Sequence, residues 1–308
     1  MRIISNICAV LGLLIAGCDT PDVSQSNIKW GHFKELDNSG ANSQKLKGAF
    51  LFQADKGVAI NACITEPLPP KTERLWLQAE LLAAVNAWGF AVGRFIPLVF
   101  SPCNAQSEVV LTFQKPPVPG DFVGYTDFGK GALSTARTVY LNPNYTWELT
   151  ADTQRWRASP DIDQLPWKKR SVFLLRQILE GNMQPQQFPK TGTDLTRSMQ
   201  PIFSVLLHEI GHAWGMCDMY EDNIDGDGFH SNCSAKSRGK KATDDEIMGQ
   251  ATRPGKARFK LSIADVEGIT ALLSRADVAT PKNYAPFKKG SSDLSLENYM
   301  AVVENWAQ

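Results

Sequence analysis

The chain has no excess of charge of either sign: 32 Lys and Arg stand against 32 Asp and Glu, for a formal net charge of zero. Without a basic surplus there is no electrostatic footprint for a phosphate backbone, so nucleic acid is excluded as the expected partner. Histidine is scarce, at four among 308 residues, and two that fall close together therefore carry information. No internal repeat and no low-complexity tract is visible, which excludes a solenoid or an array of repeats. The apolar stretch at residues 7–15 is too short to anchor a chain across a bilayer. What the sequence does have is apolar content: 43% of residues are hydrophobic, ample for one sizeable core in a length that would also allow two domains.

The short apolar stretch has another reading. Arg2 supplies a positive n-region, and the stretch ends in Leu14-Ile15-Ala16-Gly17-Cys18. Small residues at 16 and 17 suit a signal peptidase, and with the cysteine that follows they resemble a bacterial lipoprotein lipobox. The resemblance implies removal of residues 1–17, acylation of Cys18, and a mature chain secreted into the bacterial cell envelope and tethered there by lipid, on the periplasmic or cell-surface side. An ordinary secretory signal that abuts a cysteine is the alternative. Export changes how the other cysteines are read. Cys63, Cys103, Cys217 and Cys233 remain, an even number in an oxidising compartment, with three pairings open. Cys63–Cys103 and Cys217–Cys233 are favoured because each joins neighbouring segments around the predicted core. The second would close a short loop worth about 3 kcal/mol in the chain-entropy model.

Residues 18–47 are polar and read as a tether. The expected folded domain spans 48–278, followed by a tail over 279–308. A strand is expected at 57–64. Over 72–92, Leu75, Leu77, Leu81, Leu82, Val85 and Trp88 recur at helical spacing with no proline between them, which predicts a long helix. Short β-rich runs follow at 95–100, 109–113, 121–125 and 138–141, the last stopped by Asn142-Pro143. The stretch 147–199 carries one predicted helix, 167–179. A strong helix is expected over 201–215, opened by Pro201, with Ile202, Val205, Leu206 and Ile210 on an apolar face and Gly215 at its end. Helices are also expected at 262–274 and, in the tail, at 294–306, where Tyr299 and Trp306 read as packing residues.

The predicted helix at 201–215 carries the chemistry. Residues 208–218 read H-E-I-G-H-A-W-G-M-C-D. Residues four apart lie on one helical face, so His208 and His212 can share one zinc ion. Glu209, rotated by about a quarter turn, stays outside the ligand set but close enough to act as a general base on a water. A bare H-E-x-x-H is short enough to arise by chance on a helix with two satisfied histidines. Gly215 narrows the choice: three residues after His212 the helix must stop, and glycine tolerates the conformation of a sharp turn that would bring Asp218 back to the histidines.

The whole pattern resembles the metzincin motif H-E-x-x-H-x-x-G-x-x-H, with aspartate for the last histidine as in snapalysin-like bacterial proteases. Ile247-Met248-Gly249 resembles the metzincin Met-turn, in which a methionine forms an apolar floor under the metal. Residues 261–269 resemble the start of the matrixin C-terminal helix. The likeness spans about residues 57–274 and is specific at 208–218. It implies an α+β, metzincin-like fold: a twisted, mostly parallel sheet with an antiparallel edge strand, a long zinc-site helix, a Met-turn and a C-terminal helix. It implies zinc as cofactor, His208, His212 and Asp218 as metal ligands, Glu209 as catalytic base, and a protein or peptide substrate. In such folds the edge strand pairs with extended substrate, and 121–128 is the candidate here. No matrixin cysteine-switch motif is present. Asp218 in place of histidine would leave the site near +1 rather than +2, so bound water should be less acidified than in an Asp218→His variant.

Alternatives stay open. His230 competes as third ligand, and Cys217 could also ligate zinc, although export favours a disulfide. Asp222, Asp225 and Asp227, interleaved with Gly226 and Gly228, suggest calcium but lack EF-hand spacing, and a solvated acidic turn accounts for them equally. The rival to an endopeptidase is a non-catalytic zinc-binding envelope lipoprotein on the same scaffold. Substrate, oligomeric state and choice of membrane are not encoded in any motif.

Overall fold

The computed structural model describes residues 31–33, 59–120, 122–127, 137–150, 160–183, 199–218, 233–235, 247–249, 258–273 and 295–308. The lipobox with Cys18, most of the 18–47 tether, the Asp222–Asp227 run and His230 lie outside these residues, as does the side chain of Cys233. Among the described residues no helix is long and apolar enough to cross a membrane.

The fold is α+β. Its sheet has five strands, β2 (Ile60–Ile64), β3 (Leu98–Phe100), β4 (Val109–Thr112), β5 (Gly124–Asp127) and β6 (Arg137–Leu141), in the order β3-β2-β4-β6-β5. The first four in that order run parallel, and β5 closes one edge antiparallel to β6. The expected mostly parallel sheet with an antiparallel edge strand is thus present. β5 lies within the 121–128 edge-strand candidate and starts later than the 121–125 run, because pairing with β6 rather than local composition fixes its ends.

Side chains alternate across a strand, and in β6 Val139 and Leu141 are buried while Thr138 and Tyr140 are half-buried. Val139 and Leu141 pair with Thr126 and Gly124 of β5. Gly124 and Thr126 therefore share the inner face of the sheet, and Tyr125 and Asp127 the other.

Helix α1 (Arg74–Ala91) is apolar almost all round and buried over most of its length, the signature of a helix enclosed on every side. It packs against α3 (Trp167–Leu179), α4 (Ile202–Ala213) and α5 (Ile263–Leu273). Its one buried amide, Asn86, is fully engaged: Nδ2 donates to the carbonyls of Leu82 (3.0 Å) and Ile96 (2.8 Å), and Oδ1 accepts from Ile96 N (2.7 Å). These bonds fix the turn that leads from α1 into β3. A short α2 (Pro160–Asp163) precedes α3.

Helix α6 (Leu296–Trp306) belongs to this core and is not an appended tail. Tyr299, Met300 and Val303 are buried, and the Tyr299 hydroxyl donates to the Asn86 carbonyl at 3.1 Å. Arg176 of α3 pairs with Glu304, and Trp306 packs edge-on against Trp167. Tyr299 and Trp306 are packing residues, as their helical spacing suggested.

Two small sheets have no local signature. β7 (Thr146–Glu148) runs parallel to β8 (Met199–Pro201), and β1 (Gly31–Phe33), within the stretch read as a tether, runs antiparallel to β9 (Cys233–Ala235). Three-residue strands are too short for any periodicity to show. A disulfide joins Cys63 of β2 to Cys103. Cys217 is also disulfide-bonded, and the expected pairing with Cys233 falls on a side chain outside the described residues.

Candidate metal centre

Helix α4 starts directly after β8, with Pro201 at its N-cap in an extended conformation. Its end is set by Gly215, whose φ of 101° lies in the left-handed region that favours glycine. The Gly215 N–H donates to the His212 carbonyl at 2.7 Å, and the Met216 N–H to the Gly211 carbonyl at 3.1 Å. This is a Schellman turn with glycine at C′. It reverses the chain within three residues and returns Asp218 to the helix.

His208, His212 and Asp218 consequently meet, with one ligand atom from each inside a span of 4.8 Å. Asp218 Oδ1 lies 3.1 Å from His208 Nε2 and 3.5 Å from His212 Nε2. Ligands about 2.0–2.1 Å from a tetrahedral zinc stand roughly 3.3 Å apart; the two carboxylate–imidazole separations are close to that value, while the widest separation in the triad, 4.8 Å, is larger. The donor set, two imidazoles and a carboxylate, is compatible with such an ion and leaves a fourth position for water.

The other nitrogen of each ring is already engaged. His208 Nδ1 lies 2.7 Å from the Ile247 carbonyl and His212 Nδ1 2.9 Å from the Met216 carbonyl. Donation from both Nδ1–H groups turns the two Nε2 atoms toward the site and fixes the rings. Without metal, burial works against a charge on His208, but the hydrogen bond and charge of Asp218 prevail and raise its pKa to about 9.

The turn that supplies the Ile247 carbonyl is itself held from below. Asp265, fully buried in α5, accepts from the N–H groups of Ile247 (2.8 Å), Met248 (2.9 Å) and Ser262 (2.8 Å). Ser262 Oγ accepts in return from Asp265 N at 3.1 Å, a reciprocal cap at the start of the helix. Burial pushes the Asp265 carboxyl above its ordinary range, against the pull of these donors. Met248 packs directly on α4, and glycine makes the approach possible. A Cβ on Gly211 would stand 2.3 Å from Met248 Sδ and 2.7 Å from Trp88 Cζ2.

Glu209 faces the sheet, next to the histidines but outside the triad. The Thr126 hydroxyl lies 2.8 Å from its Oε2 and 2.9 Å from its main-chain carbonyl. Burial pushes the Glu209 carboxyl above the usual range, while His212, His208 and the Thr126 hydroxyl pull the other way.

All four residues of the sequence motif thus come together. The motif did not reveal Thr126, Gly124, Gly211 or a supporting role for Asp265. Ser262-x-x-Asp265 has the form of a helix-start signal, so that cap was legible in principle. The other three depend on approaches between segments distant in sequence. No protein-family model matches the chain, and no curated protein is significantly similar to it.

Proposed function

We propose that this chain is a zinc-dependent endopeptidase of metzincin type, held in the bacterial envelope by lipid on Cys18. The observation that carries the catalytic part is the convergence of His208, His212 and Asp218 beside a buried carboxylate on the same helix. The order of zinc motif, Met-turn-like 247–249 segment and following helix supports the metzincin reading, and the lipobox supports the anchoring.

His208, His212 and Asp218 would hold the ion through Nε2, Nε2 and a carboxylate oxygen. When bound, zinc supplies Lewis-acid polarisation of the scissile carbonyl and lowers the pKa of water. Glu209 is the general base: it takes a proton from the attacking water and returns it to the leaving amine as the C–N bond breaks. A raised carboxyl pKa suits a group that must both accept and release a proton near neutral pH. Strand β5, at the edge of the sheet and beside Glu209, offers main-chain groups to an extended peptide.

The test is cleavage of casein and a peptide library by the purified protein, with and without chelator, alongside Glu209→Ala. Zinc-dependent cleavage should fall by about 10²–10⁴-fold in the variant. A protein that binds zinc and cuts no peptide under any condition is the non-catalytic binding lipoprotein instead.

A further inference from the structure

The Glu209 carboxylate is held from the sheet by two residues of β5 that face the same way. Gly124 and Thr126 pair with Leu141 and Val139 on the inner face. At Gly124 the strand and helix approach so closely that a Cβ would stand 2.6 Å from Glu209 Oε1 and 2.7 Å from Val205 Cγ1. The missing side chain makes the space that the carboxylate occupies. Two residues on, the Thr126 hydroxyl reaches both Oε2 (2.8 Å) and the Glu209 main-chain carbonyl (2.9 Å). Thr126 is itself buried, at 4% exposure, so solvent competes little for these bonds.

We propose that Thr126 is a positioning residue for Glu209, its hydroxyl holding the carboxylate in place through both protonation states of the reaction, a role that rests on the peptidase reading above. A hydroxyl has one proton to donate and lone pairs to accept with. While Glu209 is a carboxylate, the Thr126 O–H donates to Oε2. Once Glu209 has taken the proton of the attacking water on its other oxygen, Oε2 is still an acceptor and the Thr126 O–H keeps donating to it. That proton is then free to pass to the leaving amine while the Thr126 bond is unchanged. Valine has the same shape and cannot donate. Serine keeps the hydroxyl and can.

The experiment compares zinc-loaded full-length wild type, Thr126→Ser and Thr126→Val by peptide kinetics, zinc content and crystal structure. For Thr126→Val, kcat should fall by roughly tenfold or more. KM should hold within about twofold, because substrate contacts are untouched, and zinc should be retained. Thr126→Ser should keep kcat within about threefold of wild type. The crystal structures should show the Glu209 carboxylate in one place in wild type and the serine variant, and turned away in the valine variant. The proposal is overturned if the valine variant keeps its kcat, if it loses zinc, or if serine is as damaging as valine. It also falls if the carboxylate stays in place without the hydroxyl. If the wild type binds zinc and cuts no peptide, the peptidase reading fails, and the carboxylate position in the three structures alone decides whether Thr126 holds it.

Discussion

The two sides of α4 are fixed by different chemistry. On the turn side, each histidine Nδ1 meets a main-chain carbonyl, one from the Schellman turn and one from the 247–249 turn pinned by Asp265. On the sheet side, Glu209 meets a hydroxyl and the bare Cα of a glycine. A carbonyl only accepts, so it selects one tautomer and holds a ring still, which suits a metal ligand. A hydroxyl donates to a carboxylate oxygen in either protonation state of the group, which on the proposed peptidase reading suits a general base. On that reading the carbonyls would hold the ligand rings still while the hydroxyl holds the base.

The severest way to break the turn side is at Asp265. In Asp265→Ala the buried N–H groups of Ile247 and Met248 and the part-buried N–H of Ser262 lose their acceptor, at about 1–3 kcal/mol each where water cannot replace it. The loss also frees the carbonyl that orients His208. Zinc affinity should drop by roughly 10–100-fold, read by competition with a chromogenic chelator. The 247–249 turn is not a support of the histidine if affinity is unchanged in a protein that still folds.

A smaller effect is expected at Gly211. Alanine would bring a methyl against Met248 Sδ and Trp88, both buried, so overpacking should cost about 1–3 kcal/mol. Urea unfolding measures it, and an unchanged midpoint would mean that Met248 has room to move away.

The mildest probe is pH. Metal-free, the folded-state pKa of His208 is raised from 6.5 to about 9 by Asp218. The folded chain then holds a proton that the unfolded chain releases. The stabilisation is complete below pH 6.5 and is lost as pH rises through about 9. Denaturant midpoints of the metal-free protein should decline across that window, and Asp218→Asn should flatten the decline. Zinc must displace the same proton, so its apparent affinity should rise with pH up to about 9.

The triad of His208, His212 and Asp218 was legible in the sequence because its members are local. His208, Glu209 and His212 share one helix, and helical geometry alone sets which of them share a face. Gly215 announced the turn that returns Asp218, and the observed φ of 101° is a conformation that glycine permits. The helix at 167–179 was found at its observed ends because its apolar residues repeat with a clear period. The 121–128 edge-strand candidate contains β5, but no pattern in the sequence singled out Thr126 or Gly124. Their importance lies in a strand that approaches a helix more than 80 positions away in the chain, as the Thr126–Glu209 bond shows. The C-terminal helix was foreseen, while its place in the core was not. An amphipathic pattern says that a face is buried and leaves open what buries it.

By itself, then, the sequence placed His208 and His212 on one face of a helix and marked the turn at Gly215, consequences of short-range spacing; it favoured Cys63–Cys103 among three pairings, and the mostly parallel sheet was an expectation drawn from a family resemblance. Only the tertiary structure decided how the Glu209 carboxylate is held, what supports the histidines from behind, and that α6 belongs to the core. Those depend on which distant surfaces meet, and no local pattern of residues records that meeting.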